Sequence, residues 1–194
     1  VGSGTLLEGL DEAITGLAVG ESRAFSYGAL YHPWLVERVS DRPLRWLRLP
    51  PDGAACGVLA QRALNRGAWI APANELLRDV IALSPPLKRA RWLDLQIAEH
   101  NVVRQEPRGF VVMNADTLSN DPDLRPINVR RLLMLLRRLA LREGFRYVFE
   151  PNDEAFRRLV ARSFEGMLEQ MFERGAFAGA TPESSFQVVT SNTI

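Results

Sequence analysis

Residues able to do covalent chemistry are scarce in this chain, and their spacing matches no catalytic pattern. His32 stands beside Pro33 in an aromatic stretch, and His100 falls at an expected helix end, so both read as structural rather than as metal ligands. A Ser-His-Asp set can be assembled on paper, yet no G-x-S-x-G elbow frames any serine. The single lysine, Lys88, follows Pro86-Leu87 with no glycine upstream, which excludes a phosphate-cradling loop. The carboxylate pairs Asp121/Asp123 and Asp153/Glu154 sit where a turn and a helix cap account for them. Cys56 is alone, so neither an intrachain disulfide nor a thiolate metal cage can form. The expectation is no enzyme, with no catalytic, cofactor-binding or metal-ligating residue and no cofactor.

What remains is charge in a pattern. A helix is expected from an Asn128 cap to Gly144. At about 100° per residue it sets Arg130, Arg131, Arg137, Arg138 and Arg142 within an arc of about 140°. Leu132, Leu133, Leu135, Leu136 and Leu139 are expected opposite, with Val129 and Met134 at the borders. Like charges at this spacing repel by roughly 0.2–0.5 kcal/mol per pair, a cost that an anionic neighbour removes. Three neighbours are open: acidic residues of the same fold, an acidic protein partner, or nucleic acid. The last is disfavoured because no stacking aromatics are interleaved with the arginines.

Elements able to position these residues follow from periodicity and punctuation. Apolar residues three to four apart predict a helix over residues 6–19, closed by Gly20. Aromatic and β-branched residues predict a strand over 22–39, broken at Pro33, and a short strand at 46–49. Pro50-Pro51-Asp52-Gly53 is a turn before a small-residue helix at 54–65. Residues 68–86 read as irregular. A short helix at 92–99, strands at 101–104 and 109–115, and a surface loop at 117–126 follow. After the arginine helix come a strand at 146–150 and a second helix capped by Asn152 or Asp153 and ending at Gly175. Its Phe156, Leu159, Val160, Phe164, Met167, Leu168, Met171 and Phe172 stripe is expected to be core. A last strand is expected at 186–190. Helices and strands mix throughout, which predicts an α/β (α+β) fold of a mixed sheet packed with helices.

The 194 residues suffice for one substantial core, and 46% hydrophobic with 24% charged residues is a soluble globular composition. The net charge of +1 gives no overall pull toward nucleic acid or a membrane surface. No run reaches the roughly 20 apolar residues that span a bilayer. A first residue other than Met suggests a processed, truncated or engineered fragment.

Several short segments, in order, resemble the tail sheath proteins of contractile phages, tailocins and extracellular contractile injection systems. They are Tyr31-His32-Pro33-Trp34-Leu35, Ala71-Pro72-Ala73-Asn74, Leu118-Ser119-Asn120-Asp121-Pro122, Ile127-Asn128-Val129-Arg130-Arg131, Phe149-Glu150-Pro151-Asn152-Asp153 and Gly179-Ala180-Thr181-Pro182. The resemblance implies that residues 1–65 are the end of a subtilisin-like domain without its triad, and 66–194 the sheath C-terminal domain. It implies a structural subunit of a virion tail or phage-tail-like particle, assembled in the bacterial cytoplasm. Its partners would be copies of itself joined by strand exchange through terminal arms, an inner tube protein, the baseplate and the tail terminator. The arginine stripe becomes a candidate inner-tube or subunit interface. Family members extend beyond both ends of this chain, so it reads as a fragment or a shortened relative, expected to be monomeric or weakly associating. Two other readings would show themselves cheaply. A subtilisin-fold hydrolase or degenerate enzyme would label with an active-site serine probe, and an Arg-face adaptor for acidic protein or nucleic acid would bind DNA with a steep salt slope.

Overall fold

The β-branched and aromatic residues between Asn101 and Val112 form the centre of the fold, as their preference for a pleated, half-buried surface requires. A computed structural model describes residues 24–41 and 43–190; the helix expected at 6–19 lies outside them. Strands β1 (Tyr31–His32), β4 (Glu75–Leu77), β6 (Asn101–Glu106) and β7 (Gly109–Val112) make a sheet in the order β1-β6-β7-β4. β1 runs parallel to β6, while the other neighbours are antiparallel. The β6–β7 hairpin closes at Glu106↔Gly109, where Gly109 adopts φ 128°, a conformation that strains a residue with a side chain.

Pro33 separates β1 from β2 (Trp34–Asp41), so the chain leaves one sheet and enters another at the residue that cannot donate to a ladder. The second sheet is antiparallel, in the order β3-β2-β5, with β3 at Leu44–Leu49 and β5 at Val80–Ser84. Leu35 pairs with both Leu49 and Leu83 and points into the core. The alternate residues Trp34 and Trp46 face outward, with the Arg48 guanidinium 5.8 Å from the Trp34 ring.

Helix α1 (Asp52–Arg66) closes the space between the sheets. Val58 joins Leu35, Leu77, Val103, Phe110 and Val112 in one buried cluster. This cluster draws on residues from both sides of position 65. On the other side of the four-stranded sheet lies α2 (Arg89–Ile97), whose Trp92 ring sits 4.2 Å from the Arg104 guanidinium. Side chains alternate along a strand, so Val102 and Arg104 share that face while Val103 lies on the face of the cluster. The remaining elements are α3 (Ile127–Gly144), a 3-10 turn at Phe145–Tyr147, α4 (Glu154–Glu173) and a single helical turn, α5 (Pro182–Ser185). The mixed α+β class matches the expectation.

Several local expectations are corrected. Residues 68–86 are not irregular: Leu76 and Leu77 pair with Val111 and Phe110, and β5 pairs with β2. These strands are short, and Asn74 and Asp79, both at positive φ, flank β4 and separate it from β5, which hid their alternation. The strand at 22–39 begins only at Tyr31, and the strand at 109–115 ends at Val112. Asn128 does not cap α3; the cap position is Pro126, and Asn128 is already helical. Residues 146–150 and 186–190 form no strand: the first begins in a 3-10 turn, and neither pairs with another segment among the described residues. The α4 stripe is half-buried, with only Met171 fully inside.

Candidate functional site

The loop before α3 decides what becomes of the arginine stripe. Its two prolines and its Asp and Asn residues fold it back over the helix start, leaving carbonyls that need donors. Thr117 donates its amide and its hydroxyl to Arg125 O, both at 2.8 Å, and Leu118 N reaches Gly28 O at 3.0 Å. Arg130 completes the set: Nε donates to Leu124 O at 3.1 Å and Nη2 to Ser119 Oγ at 2.8 Å. Its guanidinium lies 4.6 Å from the Tyr27 ring centroid, a cation–π distance. Thr117, Ser119 and Arg130 are all buried, so this expected surface loop is a structural clasp. Arg131 also turns inward, donating Nη1 to Leu59 O at 3.1 Å and fastening α3 to α1. Both residues therefore leave the expected exposed face.

Arg137, Arg138 and Arg142 stay exposed, in different company from that expected. Leu133, expected opposite, and Met134, expected at a border, are exposed on the same side, and Leu141 is exposed with them. The helical wheel carries this signal, since Leu141 follows Arg137 by four residues and Arg138 by three. Tyr27, Arg130, Leu133, Met134, Arg137 and Arg138 line a hollow of about 290 Å³. Arg142 approaches Glu143 at 3.7 Å, and the same carboxylate takes Arg146 at 3.0 Å. Arg137 and Arg138 have no ion pair or hydrogen bond among the described residues.

The C-terminal half of helix α4 carries the opposite sign. Asp153 caps the helix, accepting the Phe156 amide at 2.7 Å, and Glu154 pairs with Arg158 at 2.7 Å. Beyond Arg162 the exposed side shows Glu165, Glu169 and Glu173, spaced by four and unpaired among the described residues. The i,i+4 pairs Glu165/Glu169, Glu169/Glu173 and Arg138/Arg142 each cost roughly 0.2–0.5 kcal/mol in an isolated copy. Between α3 and α4, Phe145, Val148 and Phe149 stand in solvent. Phe149 is 100% exposed with φ 77°, a backbone state that aromatic residues adopt at a cost. After α5, Phe186 has extended backbone, and Val189 is exposed.

The other titratable residues are part of the framework. Burial is the main force lifting the Tyr31 hydroxyl to about 12; Cys56 and Asp116 add to this and Arg131 opposes it. His32 is held below its usual value by burial first, then by repulsion from His100 and Arg91. His100 is buried, with Nδ1 2.7 Å from Ala98 O. Asp123 N donates to Asp121 Oδ1 at 3.0 Å, the local turn expected for that carboxylate pair. Among the described residues no group of three or more His, Cys, Asp or Glu could hold a metal ion. No helix there is long and apolar enough to cross a membrane.

No family model and no curated protein sequence matches the chain. Solved structures do. The helical sheath of the anti-feeding prophage in its contracted state is 31% identical, with a TM-score of 0.71, over 78% of this chain and 42% of that one. The chain belongs to the contractile tail sheath family. A chain of the anti-feeding prophage baseplate, 6-fold symmetrised, is 32% identical with a TM-score of 0.71, over 80% of this chain and 42% of that one. The sheath complex of PVC, an extracellular contractile injection system, also in its contracted state, is 26% identical with a TM-score of 0.76. That match covers 91% of this chain and 48% of the other. This sheath-family chain spans less than half the length of each relative. These relatives are structural proteins of contractile particles.

Proposed function

We propose that the chain is part of a structural subunit that polymerises helically around an inner tube and contracts to drive that tube through a target envelope. In this reading residues 1–65 end a subtilisin-like domain and 66–194 form the sheath C-terminal domain, the two sharing the core around Leu35 and Val112. Neighbouring copies, the inner tube, the baseplate and the tail terminator are its partners in a tail-like particle assembled in the bacterial cytoplasm. It binds by shape and main-chain pairing and transforms no substrate.

The observation that carries the reading is the state of residues 146–150 and 186–190. Both have the β-branched and aromatic composition of strands, yet neither joins a ladder in the single copy. Their Val148, Phe149 and Val189 side chains are left in water. A strand sequence without an edge is what β-augmentation by another chain completes, because main-chain hydrogen bonds then fill both sides. The exposed half of the arginine stripe, Arg137, Arg138 and Arg142, is an assembly surface in the same particle. Deleting the gene from its host tests the proposal. Electron micrographs of the induced particles should show bare inner tubes, and sheathed, contractile particles in the deletion strain would sink it.

A further inference from the structure

From the opposite charges left unpaired on α3 and α4, we infer that the face of α3 bearing Leu133, Met134, Arg137, Arg138 and Leu141 docks the Glu165, Glu169 and Glu173 edge of α4 on a second copy. The inference deepens the assembly surface proposed above and rests on that reading only for its biological setting.

Within one copy the two stripes do not meet. No ion pair joins α3 to α4 among the described residues, and Arg137, Arg138, Glu165, Glu169 and Glu173 each lack a partner there. The lengths agree: Leu133 to Leu141 and Glu165 to Glu173 are each eight helical steps apart, about 12 Å. The chemistry agrees as well. Planar guanidiniums take carboxylates in paired hydrogen bonds and tolerate loss of hydration better than lysine does. Leu133, Met134 and Leu141 around them offer apolar surface against which the Glu stems and Gln170 can lie. Glu183 is held ionised at its exposed site by its own backbone amide and the Thr181 hydroxyl, and α5, which carries it, lies against α4.

The contact joins two different patches, so each copy offers one half and receives the other. Such heterologous contacts propagate into rings or open helical arrays rather than stopping at a pair. Exposed charge pairs are individually weak and screened by salt. The contact is thus a reversible one, able to form and release as copies shift.

Disulfide trapping on the intact chain tests this. With Cys56→Ser as background, Leu141→Cys in one preparation and Gln170→Cys in another are mixed and oxidised. The mixed disulfide should exceed either self-pair by about fivefold at about 50 mM salt and fall toward parity by about 500 mM, where the screening length is only a few ångströms. Arg137→Glu with Arg138→Glu should abolish the excess, and Glu165→Arg with Glu169→Arg on the partner should restore it. These are exposed positions, and unchanged circular dichroism confirms that each variant folds. A mixed disulfide no more abundant than the self-pairs, or charge reversal without rescue, overturns the inference and leaves the α3 face to an acidic partner of another kind, such as an inner tube. Trapping is read on the chain alone and the sheath role on particles from the deletion strain, so either idea can fail without the other.

Discussion

The sheet around β6 and the helix α4 contain similar proportions of large apolar residues and bury them to very different depths. Val102, Val103, Val111 and Val112 are sealed between α1 and α2, whereas Phe156, Val160, Phe164, Met167 and Phe172 are only half covered and Leu159 is exposed. The difference separates what a single copy completes from what it leaves open. The sheet has helices on both faces and closes its core with its own residues. Helix α4 has one adequate contact line, with Met171 inside, and leaves apolar area that a neighbouring chain can cover. The docking proposed above would keep the rigid part and the adhesive part distinct.

The comparison is broken most directly by shaving one leucine from the core that packs on the β6 sheet and one from α4. Leu35→Ala removes a side chain that is 1% exposed and central to the buried cluster. It should lower stability by about 2–5 kcal/mol, read from the midpoint of urea unfolding. Leu159→Ala on α4 should stay within about 0.5 kcal/mol, as changes at exposed sites do. Equal losses would mean that α4 is as well packed as the sheet.

Next in size is the amide network at the sheet end. Asn101, 0% exposed, donates Nδ2 to Asp116 O at 2.8 Å and accepts the Asp116 amide at 2.7 Å. Asn114 does the same between strands, accepting from Val102 N at 2.9 Å and donating to His100 O at 2.8 Å. Asn101→Ala strands the half-buried Asp116 amide and carbonyl and should cost about 1–3 kcal/mol. A smaller loss would show that water reaches this end of the sheet.

How much of this was legible in the sequence follows the same division. The β6–β7 hairpin, α1, α4 and the Asp153 cap can be read because local pattern and final environment agree. Residues 146–150 read as a strand because Tyr147-Val148-Phe149 is strand material; among the described residues it pairs with nothing, and no periodicity reports that. The helical wheel groups Arg130 with the other arginines because it knows only the helix, while the clasp over it comes from a loop and from Tyr27. The same wheel does place Leu141 among the arginines. Leu133, expected opposite the arginines, is exposed beside them, because the wheel fixes angles and not which face a loop or another helix covers.

A milder perturbation probes β1 through pH. The unfolded chain takes up a proton at His32 near its ordinary value of about 6.5, while the folded chain resists doing so. Its contribution to stability is therefore complete above that pH and is lost as pH falls through about 6.5 toward the lower folded value. The urea midpoint should be level from about pH 8 to about pH 7 and decline toward about pH 5.5. His32→Asn should flatten the decline; an unchanged decline would assign it to other groups.

The smallest effect on stability falls at Phe149, and there the two regions should give opposite signs. An L-residue at φ 77° carries backbone strain that glycine does not feel, and the Phe149 ring contributes no burial to offset it. Phe149→Gly should therefore leave the isolated chain unchanged or stabilise it by up to about 1 kcal/mol, whereas any large-to-small change in the sheet core destabilises. If residues 146–150 complete their pairing only in the assembled particle, the same substitution should remove sheaths from particles made with the variant gene. Leu64→Ser supplies the control: Leu64 is 86% exposed on α1, outside the unpaired segments, and its loss should leave sheaths intact. Sheaths lost equally in both variants would mean that exposed apolar residues matter to assembly wherever they lie. Sheaths retained with Phe149→Gly would leave the strained, solvated phenylalanine without a role in it.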